Sequence, residues 1–137
     1  MANYYSVGRT NYFLVKDLEK FRQEINEIAS SSGEIEIWDD ESGENPNKVG
    51  LGFPDGIPNF MYNDDGEDVE LNWVSIIGSH LEDDWVCVMQ EIGSEKLRYL
   101  TGCSIAFNNK GVTDQISLNE IYESMEHLGK NFTTAEY

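Results

Sequence analysis

The sequence predicts an α+β fold: an antiparallel sheet with about three helices packed on one face. Three observations predict it. Apolar residues alternate at period two in several short segments and recur at helical spacing in three others. The segments between successive strands are short and rich in Gly, Asn and Pro, which favours antiparallel pairing. The chain has 137 residues, of which 39% are hydrophobic and 12% aromatic, enough for one core in a single compact domain over 1–137.

The elements follow in order. "RTNYFLVK" alternates and is rich in aromatics, so a strand is expected over about 9–15. Asp17 then caps a helix whose buried stripe is Leu18, Phe21, Ile25 and Ile28, and "SSSG" ends it. "EIEIW" is a strand with Ile35 and Ile37 on one face and Glu34 and Glu36 on the other. "DDESGENPN" is a loop, "KVGLGF" a short strand, "PDGIP" a turn, and "NFMYN" a strand expected to pair with "KVGLGF". Residues 70–81 place Trp73, Ile76, Ile77, His80 and Leu81 along one helical face, which Gly78 weakens. "WVCVMQEI" and "KLRYLTGCSIAFN" are strands, "NNKG" is a hairpin turn, and "VTDQISL" is the returning strand. "SLNE" then reads as a capping box, Ser117 with Glu120, opening a helix with Leu118, Ile121, Tyr122, Met125 and Leu128 as its stripe and Gly129 as its stop.

Enzyme chemistry finds no foothold, and neither catalytic residues nor a cofactor is expected. His80 lies on an apolar face and reads as a satisfied boundary residue, whereas His127 reads as a helix-dipole complement. "GLGFPDG" matches no phosphate-binding pattern. Cys87 and Cys103 sit among apolar residues and read as small core side chains, and no ligand spacing suggests zinc. A calcium loop needs Asp five positions before its central Gly. Gly43, Gly56 and Gly66 are preceded there by Trp38, Leu51 and Met61. An irregular cation site in "NDDGEDVE" stays open, but no metal ligand is assigned.

Charge is the main signal. Nine basic residues oppose 26 acidic ones, a net charge of −17. Residues 34–84 hold fifteen acids and one base, Lys48, or −14; the two flanks together carry only −3. Such a surface repels nucleic acid and anionic membranes and attracts basic proteins. A solvated, idle face is the plain alternative, but solubility alone does not require that bases be missing from the whole centre. Fourteen charges match roughly 24 Å of duplex DNA at one charge per about 1.7 Å. Acids two positions apart on one strand face, such as Glu34 and Glu36, stand about 6.7 Å apart, the order of successive phosphates.

The candidate partner-binding residues are therefore Glu34, Glu36, Asp39, Asp40, Glu41 and Glu44, then Asp64, Asp65, Glu67, Asp68 and Glu70, then Glu82, Asp83 and Asp84. Trp38 and Tyr62 are added as apolar anchors, while Trp73 reads as core.

"RTNYFLVKDLEKF", "EIGSEKLRYLTGCSIAFNNKG" and the ending "ISLNEIY…TTAEY" resemble a family of small acidic proteins carried by bacteriophages and plasmids. The similar parts cover roughly half the chain, chiefly its two ends. The resemblance implies an accessory protein of a mobile element in a bacterial cytoplasm, and it lends no functional residues to the acidic centre. The start of the sequence shows no export signal, which also fits a cytoplasmic location.

Together these readings lead to an expectation: a non-enzymatic, nucleic-acid-mimicking inhibitor of a bacterial defence complex, of anti-CRISPR or anti-restriction type. Its partner would be a basic nucleic-acid-binding protein or complex of the host, with no direct contact to nucleic acid or membrane. An immunity-type or other protein-binding module and a metal-dependent enzyme are the alternatives. Pairing with a second copy through an exposed sheet edge is a further option.

Overall fold

The computed structural model describes residues 4–39 and 44–135. The chain runs Tyr5–Thr10 (β1), Phe13–Leu14 (β2), Leu18–Ser32 (α1), Glu36–Asp39 (β3), Lys48–Phe53 (β4), Phe60–Tyr62 (β5) and Asp68–Glu70 (β6). It continues through Trp73–Gly78 (α2), Cys87–Glu95 (β7), Tyr99–Phe107 (β8), Thr113–Ser117 (β9) and Ile121–Ser124 (α3). Seven strands form one antiparallel sheet, and β5 and β6 form a separate hairpin. The fold is α+β, as the sequence predicts.

The expected first strand is longer and bent. Both β1 and β2 pair with the same edge of β4: Arg9 faces Gly52, and Phe13 faces Val49. Three residues therefore oppose two between those pairs, which is a β-bulge. Thr10, buried at the bulge, accepts a hydrogen bond from the Leu51 amide through Oγ1 at 2.9 Å. That bond satisfies an amide which the bulge would leave unpaired. β3 covers the other edge of β4, and β7, β8 and β9 extend the sheet beyond β1.

Residues facing each other across a ladder share a face, which assigns the two sides. One side carries Phe13, Val49, Leu51, Phe53, Cys87, Met89 and Phe107, all buried. Against them pack Phe21, Ile25 and Ile28 of α1, the predicted stripe, with Trp73 and Ile77 of α2 and Leu81. Asp17 caps α1 by accepting the Lys20 amide at 3.2 Å. The opposite side carries Trp38, whose indole lies over Gly50 and Gly52; a Cβ at Gly52 would collide with the ring.

Three elements depart from expectation. "NFMYN" does not pair with "KVGLGF", because both edges of β4 are already taken; it pairs with β6 instead. The helix expected over 70–81 is only six residues, capped by Asn72, whose Oδ1 accepts the Ser75 amide at 3.2 Å. Its last turns give way to a bridge between Leu81 and Val15 that ties the segment to the sheet. The last helix is broken into a 3-10 turn at Leu118–Glu120, α3, and a second 3-10 turn at Glu126–Leu128. Ser117 makes no side-chain cap bond there, and none of these pieces buries a residue. Short helices in water need a packed face to persist, and this stripe is only partly covered, with Leu118 resting on Gly102 and Tyr122 stacked on Phe132.

The thiols differ as well. Cys87 is buried, and burial pushes its thiol well above the usual cysteine range. Cys103, expected in the core, is exposed at the middle of β8, where it lines an open cleft. The native protein should therefore react with one equivalent of an aromatic disulfide reagent at pH 8, and with a second only after denaturation. Two fast thiols in the native state would contradict the packing around Cys87.

Candidate partner-binding surface

The structure sorts the acids into unequal groups. Asp39, at the end of β3, pairs with Arg22 of α1, so its charge is answered. Asp83 accepts a hydrogen bond from Asn109 Nδ2 at 2.7 Å and holds the turn between β8 and β9. Glu82 donates its amide to the Leu14 carbonyl at 3.0 Å and is half-buried. Asp39 and Glu82 lie at the same end of the sheet, since Asp39 faces Val49, Val49 faces Phe13, and Leu14 receives the Glu82 amide. Asp84 and Glu44 are exposed near these ends of the chain path, whereas Asp40 and Glu41 lie outside the described residues. Glu34 precedes β3, and Glu36 sits on it facing Gly52; both are exposed. β3 is an edge strand, and charges on an edge oppose unwanted strand pairing.

The hairpin of β5 and β6 is different. Its turn is organised by Asn63, whose Oδ1 accepts the amides of Asp65 at 3.0 Å and Glu67 at 2.9 Å. The Asn63 carbonyl also accepts the Gly66 amide at 3.0 Å, and Gly66 takes φ +76°, which a Cβ would resist. The turn thus holds Asp64, Asp65 and Glu67 outward on a defined backbone.

Along the two strands, Phe60 faces Glu70 and Tyr62 faces Asp68. These four side chains share one side of the hairpin. Phe60 is 57% and Tyr62 59% exposed, and the two acids are exposed as well. Met61 takes the other side and packs against the core. Asp64, Asp65, Glu67, Asp68 and Glu70 have no ion pair among the described residues.

The sequence reading missed Phe60. Its signal was present, because Phe60 and Tyr62 alternate around Met61 just as Asp68 and Glu70 alternate around Val69. It also missed a cleft of about 430 Å³ at the hairpin's base, between Glu70 and Trp73 on one side and Met89 and Glu91 on the other. Trp73 closes one wall, donating from Nε1 to the Pro58 carbonyl at 2.8 Å. Glu91 Oε2 accepts the Ile57 amide at 2.6 Å.

Trp38 and Tyr62, paired as anchors in the sequence, are separated. Tyr62 is open on the hairpin. Trp38 is half-buried on the outer side of the sheet, with the Arg9 guanidinium 4.7 Å above its ring, so that one ring face is already engaged. His80 is a boundary residue, as read: Nε2 donates to Glu24 Oε1 at 2.9 Å, and its ring meets Phe21 edge-on at 5.3 Å.

Among the described residues no three of His, Cys, Asp and Glu come close enough to hold a metal ion. Among the described residues no helix is long and apolar enough to cross a membrane. No protein-family model, curated protein or solved structure matches the chain.

Proposed function

We propose that the protein is a non-enzymatic inhibitor that presents the β5–β6 hairpin to a basic, nucleic-acid-binding surface of a bacterial defence complex. One observation carries the reading: the hairpin holds Phe60, Tyr62, Asp68 and Glu70 on one side and three further acids in its turn, all exposed and without basic partners among the described residues. Lys and Arg that normally hold phosphates would meet carboxylates instead. Asp68 and Glu70 stand about 6.7 Å apart along β6, the order of successive phosphates. Phe60 and Tyr62 supply apolar anchors, which charge alone lacks. The mechanism is competition: the target's channel is occupied and nucleic acid is excluded.

Charge steering makes association fast and salt-sensitive. The test is capture of host nucleic-acid-binding proteins from bacterial lysate on immobilised protein, with duplex DNA as competitor. A captured partner should be released by excess DNA and by 0.5 M salt. A partner that survives both would sink the mimic reading.

A further inference from the structure

We infer that the outer side of the sheet is an interface between two copies of this chain, packed face to face. The inference stands apart from the hairpin's proposed role. Ladder register puts Val7 opposite Ile92 and Ile92 opposite Gly102, where Leu118 packs with its Cγ 3.0 Å from a Cβ position on that glycine. Tyr5 faces Ser94, which faces Leu100, and Ile116 faces Ser104. Tyr5, Val7, Ile92, Leu100, Ile116 and Leu118 thus lie together on the side away from the core. They line two adjoining shallow grooves that share Ile92 and Leu118.

Each of the six is between 50% and 71% exposed. Together they leave several hundred Å² open, mostly apolar, comparable with the largest such patch of a monomer, about 300–600 Å². A stable specific interface buries about 800 Å² per partner. The six residues therefore supply the apolar centre that an interface of that size requires.

Local charge permits a second copy as that partner, although each chain carries −17 overall. Residues 87–117, which carry three of the six, hold three acids (Glu91, Glu95, Asp114) and three bases (Lys96, Arg98, Lys110). The −14 segment, 34–84, contributes no residue to it. Two such faces meet without like-charge conflict, and neither offers a basic partner anything to bind. Sheets packed face to face sit about 10 Å apart, which suits interdigitated Ile, Leu and Val side chains. The C-terminal pieces support the same conclusion. Their stripe of Leu118, Ile121, Tyr122, Met125 and Leu128 is encoded at helical spacing, yet none of these residues is buried in a single chain. β9 is exposed along its whole length as well. A second copy over this wing gives both a place to pack.

Sedimentation equilibrium on the purified chain at physiological salt, from about 1 to 100 μM, tests the interface. The expected mass is twice the 15.6 kDa of one chain. The double variant Ile92→Lys, Ile116→Lys should sediment as a single chain with an unchanged circular dichroism spectrum. The milder Ile92→Ser, Ile116→Ser serves if lysine disturbs folding, and should weaken dimerisation at least tenfold. A wild-type protein that stays at one chain mass to 100 μM overturns the inference. So does a dimer that folded variants leave intact, because its contact must then lie elsewhere, such as the free edge of β9.

Discussion

The quadruple variant Asp64→Lys, Asp65→Lys, Glu67→Lys, Asp68→Lys is expected to lose partner binding and keep its fold. Each reversal changes the charge by two units, so the net charge moves from −17 to −9. All four side chains are exposed. Their backbone is held by Asn63, Gly66 and the ladder to β5, none of which the substitutions touch. Stability should therefore change by no more than about 0.5 kcal/mol. Binding should change far more, because like charges brought together at an interface cost several kcal/mol. A loss of at least about 100-fold, roughly 2.7 kcal/mol, is expected at physiological salt. The control is Glu19→Lys, Glu27→Lys, Glu123→Lys, Glu126→Lys, four exposed acids elsewhere that give the same net charge. It should bind within a few-fold of wild type. Equal loss in both would assign the effect to overall charge and not to the hairpin. Undiminished binding in the hairpin variant would defeat the mimic model.

Phe21→Ala is expected to have the largest effect on stability. Phe21 is fully buried and meets two rings edge-on: Phe13 at 5.8 Å and His80 at 5.3 Å. Truncation removes the transfer free energy, leaves a cavity, and breaks both aromatic contacts. A loss of about 3–5 kcal/mol is expected. Against a typical total of about 5–15 kcal/mol, much of the protein could unfold. Urea unfolding followed by tryptophan fluorescence measures it. Phe21→Leu, which keeps most of the volume, should cost far less. A Phe21→Ala loss below about 1 kcal/mol would mean that α1 does not rest on the sheet through this residue.

Local pattern revealed the elements whose stability is local or whose burial is complete. α1 carries its cap, Asp17, and its stripe, Phe21, Ile25 and Ile28, within one segment. The meander of β7, β8 and β9 is joined by short turns, so each strand pairs with its sequence neighbour. Pairing between distant strands was not legible. Nothing local in "KVGLGF" says that β3 and β1–β2 take both its edges, and that occupancy forces β5 onto β6. The last helix shows the opposite failure. Its capping box and stripe are real in the sequence, but a stripe predicts burial only if a wall exists to receive it.

The acidic surface was legible in composition and not in arrangement. Counting found fifteen acids with one base across the centre. It could not see that Arg22, from outside that stretch, answers Asp39, or that Asp83 is occupied with Asn109. These partners come from α1 and from the turn after β8. Glu34, Glu36, Glu82 and Asp84 also lack an ion pair among the described residues, but only in the hairpin does alternation place aromatics and acids together on one side. That alternation was readable in "FMYNDDGEDVE" once the two halves are treated as paired strands.

The hairpin's two strands bond to each other and to no strand of the main sheet. The Leu71 amide on the Asn59 carbonyl at 2.8 Å closes the hairpin's base, and Met61 and Leu71 seat it against the core. Changes in its length or charge between these points therefore shift no register elsewhere. The fold separates a seven-stranded platform from a two-stranded appendage, so substitutions at the acidic tip leave the ladder of the main sheet untouched.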